Sequence, residues 1–100
     1  MNEKPKKKPL NVSPIHPVDF VTADVVAIQA LMKGDADSNQ QKRALDWIIN
    51  IAAGTYDLSY RPGVEGERDT AFSEGKRFVG LSIVKMTRLN AMKLRSEENV

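Results

Sequence analysis

Apolar residues recur at intervals of three and four in three separate stretches of the chain, a spacing that marks one face of an α-helix. The first stretch consists of Val21, Val25, Ile28 and Met32. It is followed by Lys33 and Gly34, a cation and a residue that readily adopts the left-handed conformation at a helix end. We therefore expect a first helix at about residues 18–33, with Asp19 or Thr22 capping its start.

The second stretch follows a capping sequence. Ser38 and Gln41 have the spacing of a capping box, in which each side chain bonds to the other residue's backbone N–H, and Gly54 ends the pattern. The apolar positions between them are Leu45, Ile48, Ile49 and Ala52. We expect a second helix at about residues 39–53.

Trp47 lies off this apolar stripe, on the polar side of the second helix near Arg43 and Asn50. One interpretation is that the third helix or the loop before it covers the indole ring. The other is that Trp47 anchors a protein–protein contact, because tryptophan is enriched at interface hot spots.

The third stretch predicts the longest helix, at about residues 70–94, with Asp69 as its cap. Its expected core face consists of Phe72, Val79, Ile83 and Met86. Gly75 and Gly80 lie inside it, where each glycine costs about 1 kcal/mol relative to alanine. We expect both glycines to allow close approach of another helix.

A cationic ridge is expected on the opposite side of the same helix. Arg77, Arg88 and Arg95 fall on nearly the same line at helical spacing. Basic side chains are favoured near a helix C-terminus, and the remaining positive charge is available to a partner.

Residues 54–68 form the one long connection. Residues 61–64 have the Pro-Gly pattern of a type II turn, and Tyr56, Leu58 and Tyr60 alternate with polar residues. We expect an ordered loop packed by its tyrosines. Loops of this length in compact domains are usually functional or disordered.

The N-terminal segment differs from the rest in charge and composition. Residues 1–16 are rich in proline and form an expected extended arm. Its basic residues are Lys4, Lys6, Lys7 and Lys8. The arm is interpreted either as a solubilising tail or as a contact for nucleic acid or an acidic surface.

Few residues in the chain are suited to catalysis. It has 100 residues, no cysteine and one histidine, His16, which lies between prolines in the arm. Glu65, Glu67 and Asp69 lie close together but lack the spacing of a calcium loop. We therefore expect no catalytic residue, cofactor or metal site. The chain also lacks a long apolar run and an export signal, so we expect no membrane span.

These patterns predict an all-α fold: a three-helix domain at residues 17–95 behind the arm, with a frayed end at 96–100. The residues that we expect to bind a protein partner are Trp47, Tyr56, Tyr60, Arg77 and Arg88.

One motif carries a family resemblance. Residues 70–81, with the sequence TAFSEGKRFVGL, resemble the signature of a small helical domain found in the head and packaging gene clusters of tailed bacteriophages, first seen in a Bordetella phage. The resemblance covers about residues 37–92 and marks Phe72, Glu74, Gly75, Arg77 and Gly80. It implies no enzymatic role for any of these residues. Physically, the motif is either a packing signature or a surface that turns Lys76 and Arg77 toward a partner chain.

The resemblance implies a non-enzymatic structural or assembly protein, in the virion or the host bacterial cytoplasm. Such a protein would contact other phage structural proteins and form a homo-oligomer. One alternative is a DNA-binding packaging factor similar to a small terminase subunit, since the first two helices and their turn loosely match a helix-turn-helix. Another is a host-directed phage inhibitor.

Overall fold

The computed structural model describes residues 13–98. Its elements are α1 (Thr22–Lys33), α2 (Ser38–Asp46), a π-helical segment (Trp47–Ala52), α3 (Gly66–Arg88) and α4 (Ala91–Glu98). No strand occurs in this part of the chain. The expected all-α class is therefore confirmed, but the described residues form four helices where three were expected.

The start of α1 differs from the prediction. The helix begins at Thr22, with Val21 in the capping position, and neither Asp19 nor Thr22 caps it. Instead the Asp24 carboxylate accepts the Val21 N–H at 3.0 Å, so an acidic side chain one turn inside the helix satisfies the free donor. At the other end, the expected left-handed Gly34 is present, with φ of 81°.

In α2, the capping box lies one residue earlier than predicted. Asp37 and Gln40 form the pair: the Asp37 carboxylate accepts the Gln40 N–H at 2.8 Å, and the Gln40 amide oxygen accepts the Asp37 N–H at 2.9 Å. Asp37 and Ser38 are both good capping residues, so the pattern predicts the box but not its register. Gly54 ends the helical segment as expected, with φ of 57°.

The long third helix of the prediction is two helices. α3 begins at Gly66, four residues before the predicted start, and carries Glu67 and Asp69 in its first turn, where acidic residues are favoured by the helix dipole. Leu89 takes an extended conformation and ends it. The Asn90 side chain then accepts the Lys93 N–H at 3.0 Å, which starts α4. Residues 96–98 are helical, and the expected fraying of this end stays a prediction.

Packing is centred on the rod formed by α2 and the π-helical segment. α1 packs against α2, and α3 packs against the π-helical segment. The four buried apolar residues of the described chain are Ala27, Ala44, Ala53 and Val84. Three of these are alanines, so the helices approach closely but the core is small. Leu45, predicted to be in the core, is exposed, because Ala44 takes the buried position beside α1.

The side of α3 that packs against the rest of the chain is not the predicted one. Its buried positions are Gly66, Ser73, Gly80 and Val84. Phe72, Val79 and Met86 were predicted to be core residues and are exposed. At 100° per residue, their line lies about 120° from the buried one.

Among the described residues, no helix is long and apolar enough to cross a bilayer.

Candidate functional site

The motif that carries the family resemblance forms the junction between α3 and the connecting loop (residues 53–65). Gly80 lies directly on Thr55, which is fully buried. A Cβ at position 80 would overlap Thr55 Oγ1 and would lie 2.9 Å from the Ala53 Cβ. Thr55 Oγ1 also donates to the Ile49 carbonyl at 2.6 Å. A close approach at Gly80 is therefore present, but residues of the loop make it and not the predicted second helix.

Arg77 holds the same loop from the next turn of α3. Its Nε donates to the Thr55 carbonyl at 3.0 Å, and a terminal nitrogen donates to the Glu74 carboxylate at 2.8 Å. Hydrogen bonds from Ser59 and then from Arg77 lower the pKa of Glu74. Glu74 and Arg77 thus form an ion pair, and Arg77 also binds the loop.

Arg61 makes hydrogen bonds within the loop itself. One guanidinium nitrogen of Arg61 donates to the carbonyls of Leu58, Ser59 and Tyr60, at 2.7, 3.0 and 3.2 Å. The Arg61 backbone N–H donates to Thr70 Oγ1 on α3 at 2.8 Å. Residues 58–61 are therefore joined to one another and to α3 by hydrogen bonds.

Lys76 lies at the other edge of the junction. Its Nζ is 5.9 Å from the centre of the Phe72 ring, within range of a cation–π contact. Burial, followed by the positive charge of Arg61, lowers the pKa of Lys76. Lys76 and Arg77 both contact their own chain, which favours the packing interpretation of the motif.

The rigid loop presents a row of apolar side chains to solvent. Tyr56, Leu58 and Tyr60 are all well exposed, whereas Thr55 between Ala53 and this row is buried. The expectation that the tyrosines pack the loop is wrong: Thr55, Arg61 and Arg77 do so. The loop contains the expected turn glycine, Gly63, with φ of 99°. Alternating exposed positions on an ordered backbone are available to a partner without further ordering cost.

Trp47 lies beside a second apolar surface. Its indole N–H donates to the Asp19 carbonyl at 3.0 Å, so the segment before α1 contacts the ring, a contact that neither interpretation of Trp47 includes. An open groove of about 220 Å³ adjoins the ring and is lined by Phe20, Asp24, Val25, Ile28, Gln29 and Trp47. Trp47 is half-buried and contributes one wall of this groove.

An ion pair fixes α1 and α2 beneath this groove. Arg43 Nε donates to Asp24 at 2.9 Å, and the two side chains are 22% and 6% exposed. Because Asp24 also accepts the Val21 N–H, one carboxylate joins the start of α1 to α2. The pair holds the groove walls at a fixed separation.

A third apolar surface runs along α3. We call it the α3 apolar face, and it consists of Phe72, Gly75, Val79, Ile83 and Met86. Phe72, Val79 and Met86 are 42%, 56% and 72% exposed. A Cβ added at Gly75 would meet nothing within 4 Å, so the close approach predicted there is wrong within the chain.

The remaining predicted residues are dispersed. Arg88 lies exposed in the last turn of α3, and Arg95 belongs to α4, so the break at residues 89–90 divides the expected cationic ridge. Lys4, Lys6, Lys7 and Lys8 lie outside the described residues, as does most of the expected arm. Between residues 13 and 98, no group of three or more acidic or histidine side chains is arranged to hold a metal ion.

Several residues that organise these surfaces are not evident from the sequence. Asp24 and Arg43 are separated by 19 positions, and Thr55 and Arg77 by 22. The only available signal was Gly80, whose presence inside a helix indicates a close neighbour without identifying it.

Comparisons with known proteins add no relatives. No family model, no curated protein and no solved structure matches this chain.

Proposed function

We propose that this chain is a non-enzymatic structural or assembly protein of a tailed bacteriophage, and that it acts by protein–protein contacts in several copies. The observation that carries the proposal is the imbalance between buried and exposed apolar surface. Four apolar residues are buried in the described chain, three of them alanines, while eighteen large ones are exposed. Exposed apolar residues are common one by one, but contiguous patches mark interaction sites.

The phage assignment is supported by the resemblance of residues 70–81. Two of the residues marked by that resemblance hold the connecting loop: Arg77 and Gly80 both contact Thr55. The row formed by Tyr56, Leu58 and Tyr60 is the surface that this packing presents.

The test is to look for the chain in particles made from the genome that encodes it. Purified virions and immature heads are analysed by quantitative mass spectrometry against the major capsid protein. We expect the chain at a fixed ratio of several copies per particle, or in the immature heads alone if it acts only in assembly. Its absence from both would contradict the proposal.

Two substitutions test whether incorporation into the particle depends on the loop surface. A genome lacking this gene is complemented with the wild-type chain, with Leu58→Glu or with Met32→Glu. Both residues are exposed and apolar, but Met32 lies near the end of α1, on a different element from the loop. We expect Leu58→Glu to abolish incorporation and Met32→Glu to retain it. Equal incorporation of the two variants would contradict the role of the loop.

Binding of the purified chain to DNA tests the DNA-packaging alternative. A packaging factor would be retained on DNA at low salt, with an affinity that falls steeply with salt concentration. Retention that decreases when Lys4, Lys6, Lys7 and Lys8 are neutralised would favour that alternative over a purely structural role.

A further inference from the structure

The α3 apolar face has the pattern of a helix that packs against another helix. Phe72, Val79 and Met86 are seven residues apart and fall within about 40° of one another at 100° per residue. A spacing of seven residues between apolar positions is the repeat found in pairs of helices that pack side by side. In this chain the face lies about 120° from the buried side of α3, and Phe72, Val79 and Met86 are exposed there.

Gly75 supplies an independent observation on this face. A glycine inside a helix costs about 1 kcal/mol relative to alanine. At Gly80 the contact with Thr55 explains this cost, but at Gly75 nothing in the described chain approaches a Cβ position within 4 Å. The gap at Gly75 is a hollow in an otherwise apolar stripe, open to solvent.

We propose that the α3 apolar face binds the same face of a second copy of this chain, antiparallel, about a twofold axis at Val79. In this register Val79 meets its own equivalent, and Phe72 of each copy lies opposite Met86 of the other. Ile83 of each copy then inserts into the hollow at Gly75. The face is therefore complementary to itself, as a twofold interface must be.

The charges of α3 favour the antiparallel direction. Residues 65–69 contain Glu65, Glu67 and Asp69 against Arg68, a net charge of −2, whereas Lys85 and Arg88 give the last turn +2. Antiparallel pairing brings the acidic start of one helix next to the basic end of the other. Parallel pairing would bring like charges together, and it would also align the two helix dipoles unfavourably.

A second copy suits this face better than the N-terminal segment of the same chain. Residues 1–12 contain four lysines and only three large apolar residues, Met1, Leu10 and Val12. That composition supplies no stripe to match the 23 residues of α3. This inference rests on the proposed function, a chain that acts by docking, and names the partner for one of its surfaces.

Cysteine cross-linking tests the pairing, because the chain has no cysteine of its own and an introduced thiol is the only one present. A disulfide requires Cα atoms within about 7 Å, which positions at the centre of the interface satisfy. The test variant is Val79→Cys. The matched control is Phe78→Cys, one residue earlier, 71% exposed and turned about 100° away from the face.

We expect mild oxidation to convert Val79→Cys to a covalent dimer, with a dimer fraction severalfold above that of Phe78→Cys. Equal fractions would overturn the proposal. Met86→Glu provides a second measurement that needs no thiol: sedimentation should show a lower mass than for the wild-type chain at the same concentration. An unchanged mass would also overturn the proposal.

The register and direction are tested by mixing two variants. Gly75→Cys and Ile83→Cys should each remain largely monomeric when oxidised alone and should form a mixed disulfide when combined, identified by isotope labelling of one partner. A dimer of Gly75→Cys with itself would indicate parallel pairing and would overturn the antiparallel arrangement.

The outcomes separate this proposal from the proposed function. Failure of Val79→Cys to cross-link, with the chain still present in particles, overturns the pairing alone. Efficient cross-linking of a chain that is absent from virions and immature heads overturns the phage function alone.

Discussion

Substitution of Gly80 by alanine tests the junction between α3 and the connecting loop. The added Cβ would overlap Thr55 Oγ1 and lie 2.9 Å from the Ala53 Cβ. Thr55 cannot move aside freely, because it is fully buried and donates to the Ile49 carbonyl at 2.6 Å. The strain must therefore separate α3 from the loop or break that hydrogen bond.

The expected loss in the free energy of unfolding is about 2 kcal/mol. Replacing glycine by alanine inside a helix gains about 1 kcal/mol, while overpacking of a filled site costs up to about 3 kcal/mol. Gly75→Ala is the matched control: it lies in the same helix with open space around it, so only the gain of about 1 kcal/mol applies. The two variants should thus differ by about 3 kcal/mol, with opposite signs relative to the wild-type chain.

Thermal unfolding followed by far-UV circular dichroism measures this difference. For a domain of this size about 1 kcal/mol corresponds to roughly 4–8 °C, so the midpoints of the two variants should differ by about 15 °C. The measurement uses the same low protein concentration throughout, so that self-association does not shift the midpoints. A Gly80→Ala variant as stable as Gly75→Ala would refute the close contact with Thr55.

Three further predictions concern other contacts. Asp24→Asn should lower the free energy of unfolding in urea by about 2 kcal/mol, because it removes the charge of a carboxylate that is only 6% exposed and is bonded to Arg43; a loss no greater than that of an exposed surface substitution would contradict this role. Trp47→Phe replaces the indole by a smaller phenyl ring and removes its N–H, so it should cost about 1 kcal/mol for the lost hydrogen bond, and an unchanged midpoint would show that the bond contributes nothing. Ser59→Ala should raise the pKa of Glu74, observed in an NMR titration, since Ser59 is the first cause of its lowering. Because the pKa of Glu74 is lowered on folding, its contribution to stability is present above the ordinary glutamate pKa and is lost as the pH falls through the folded value; an unshifted titration would contradict the Ser59 contact.

The all-α class and the positions of the helix ends and turns follow from local interactions. Gly34, Gly54 and Gly63 all adopt positive φ, as expected from residues that end helices or form turns. These positions depend only on neighbours in the chain, so the sequence contains the relevant information. The break after Arg88 also has a local cause, the capping Asn90, but the apolar and basic residues on either side of it have the spacing of one continuous helix.

The orientation of α3 could not be predicted from hydrophobicity. Phe72 and Val79 form the more apolar stripe, yet α3 packs through Ser73 and Gly80. The packing of α3 depends on close fit and not on hydrophobicity. The loop is held by the hydroxyl of Thr55 and by Arg77, and only small residues on α3 leave room for the loop. The most apolar line of α3 is left exposed to solvent.

The functional surfaces were identified only in part. Trp47, Tyr56 and Tyr60 were singled out as partner residues, and that role stays a prediction. Arg77 was singled out as well, but its side chain binds the loop of its own chain. The ion pair of Asp24 with Arg43 depends on how α1 crosses α2, which a spacing pattern does not contain.

Sedimentation equilibrium of the full wild-type chain tests most directly the claim that its exposed apolar surface is a docking surface closed by a second copy. The chain mass is 11.1 kDa. We expect the weight-average mass to rise toward twice that of a single chain as the concentration increases from micromolar to millimolar. A mass that stays at the value of one chain over this whole range would contradict the account.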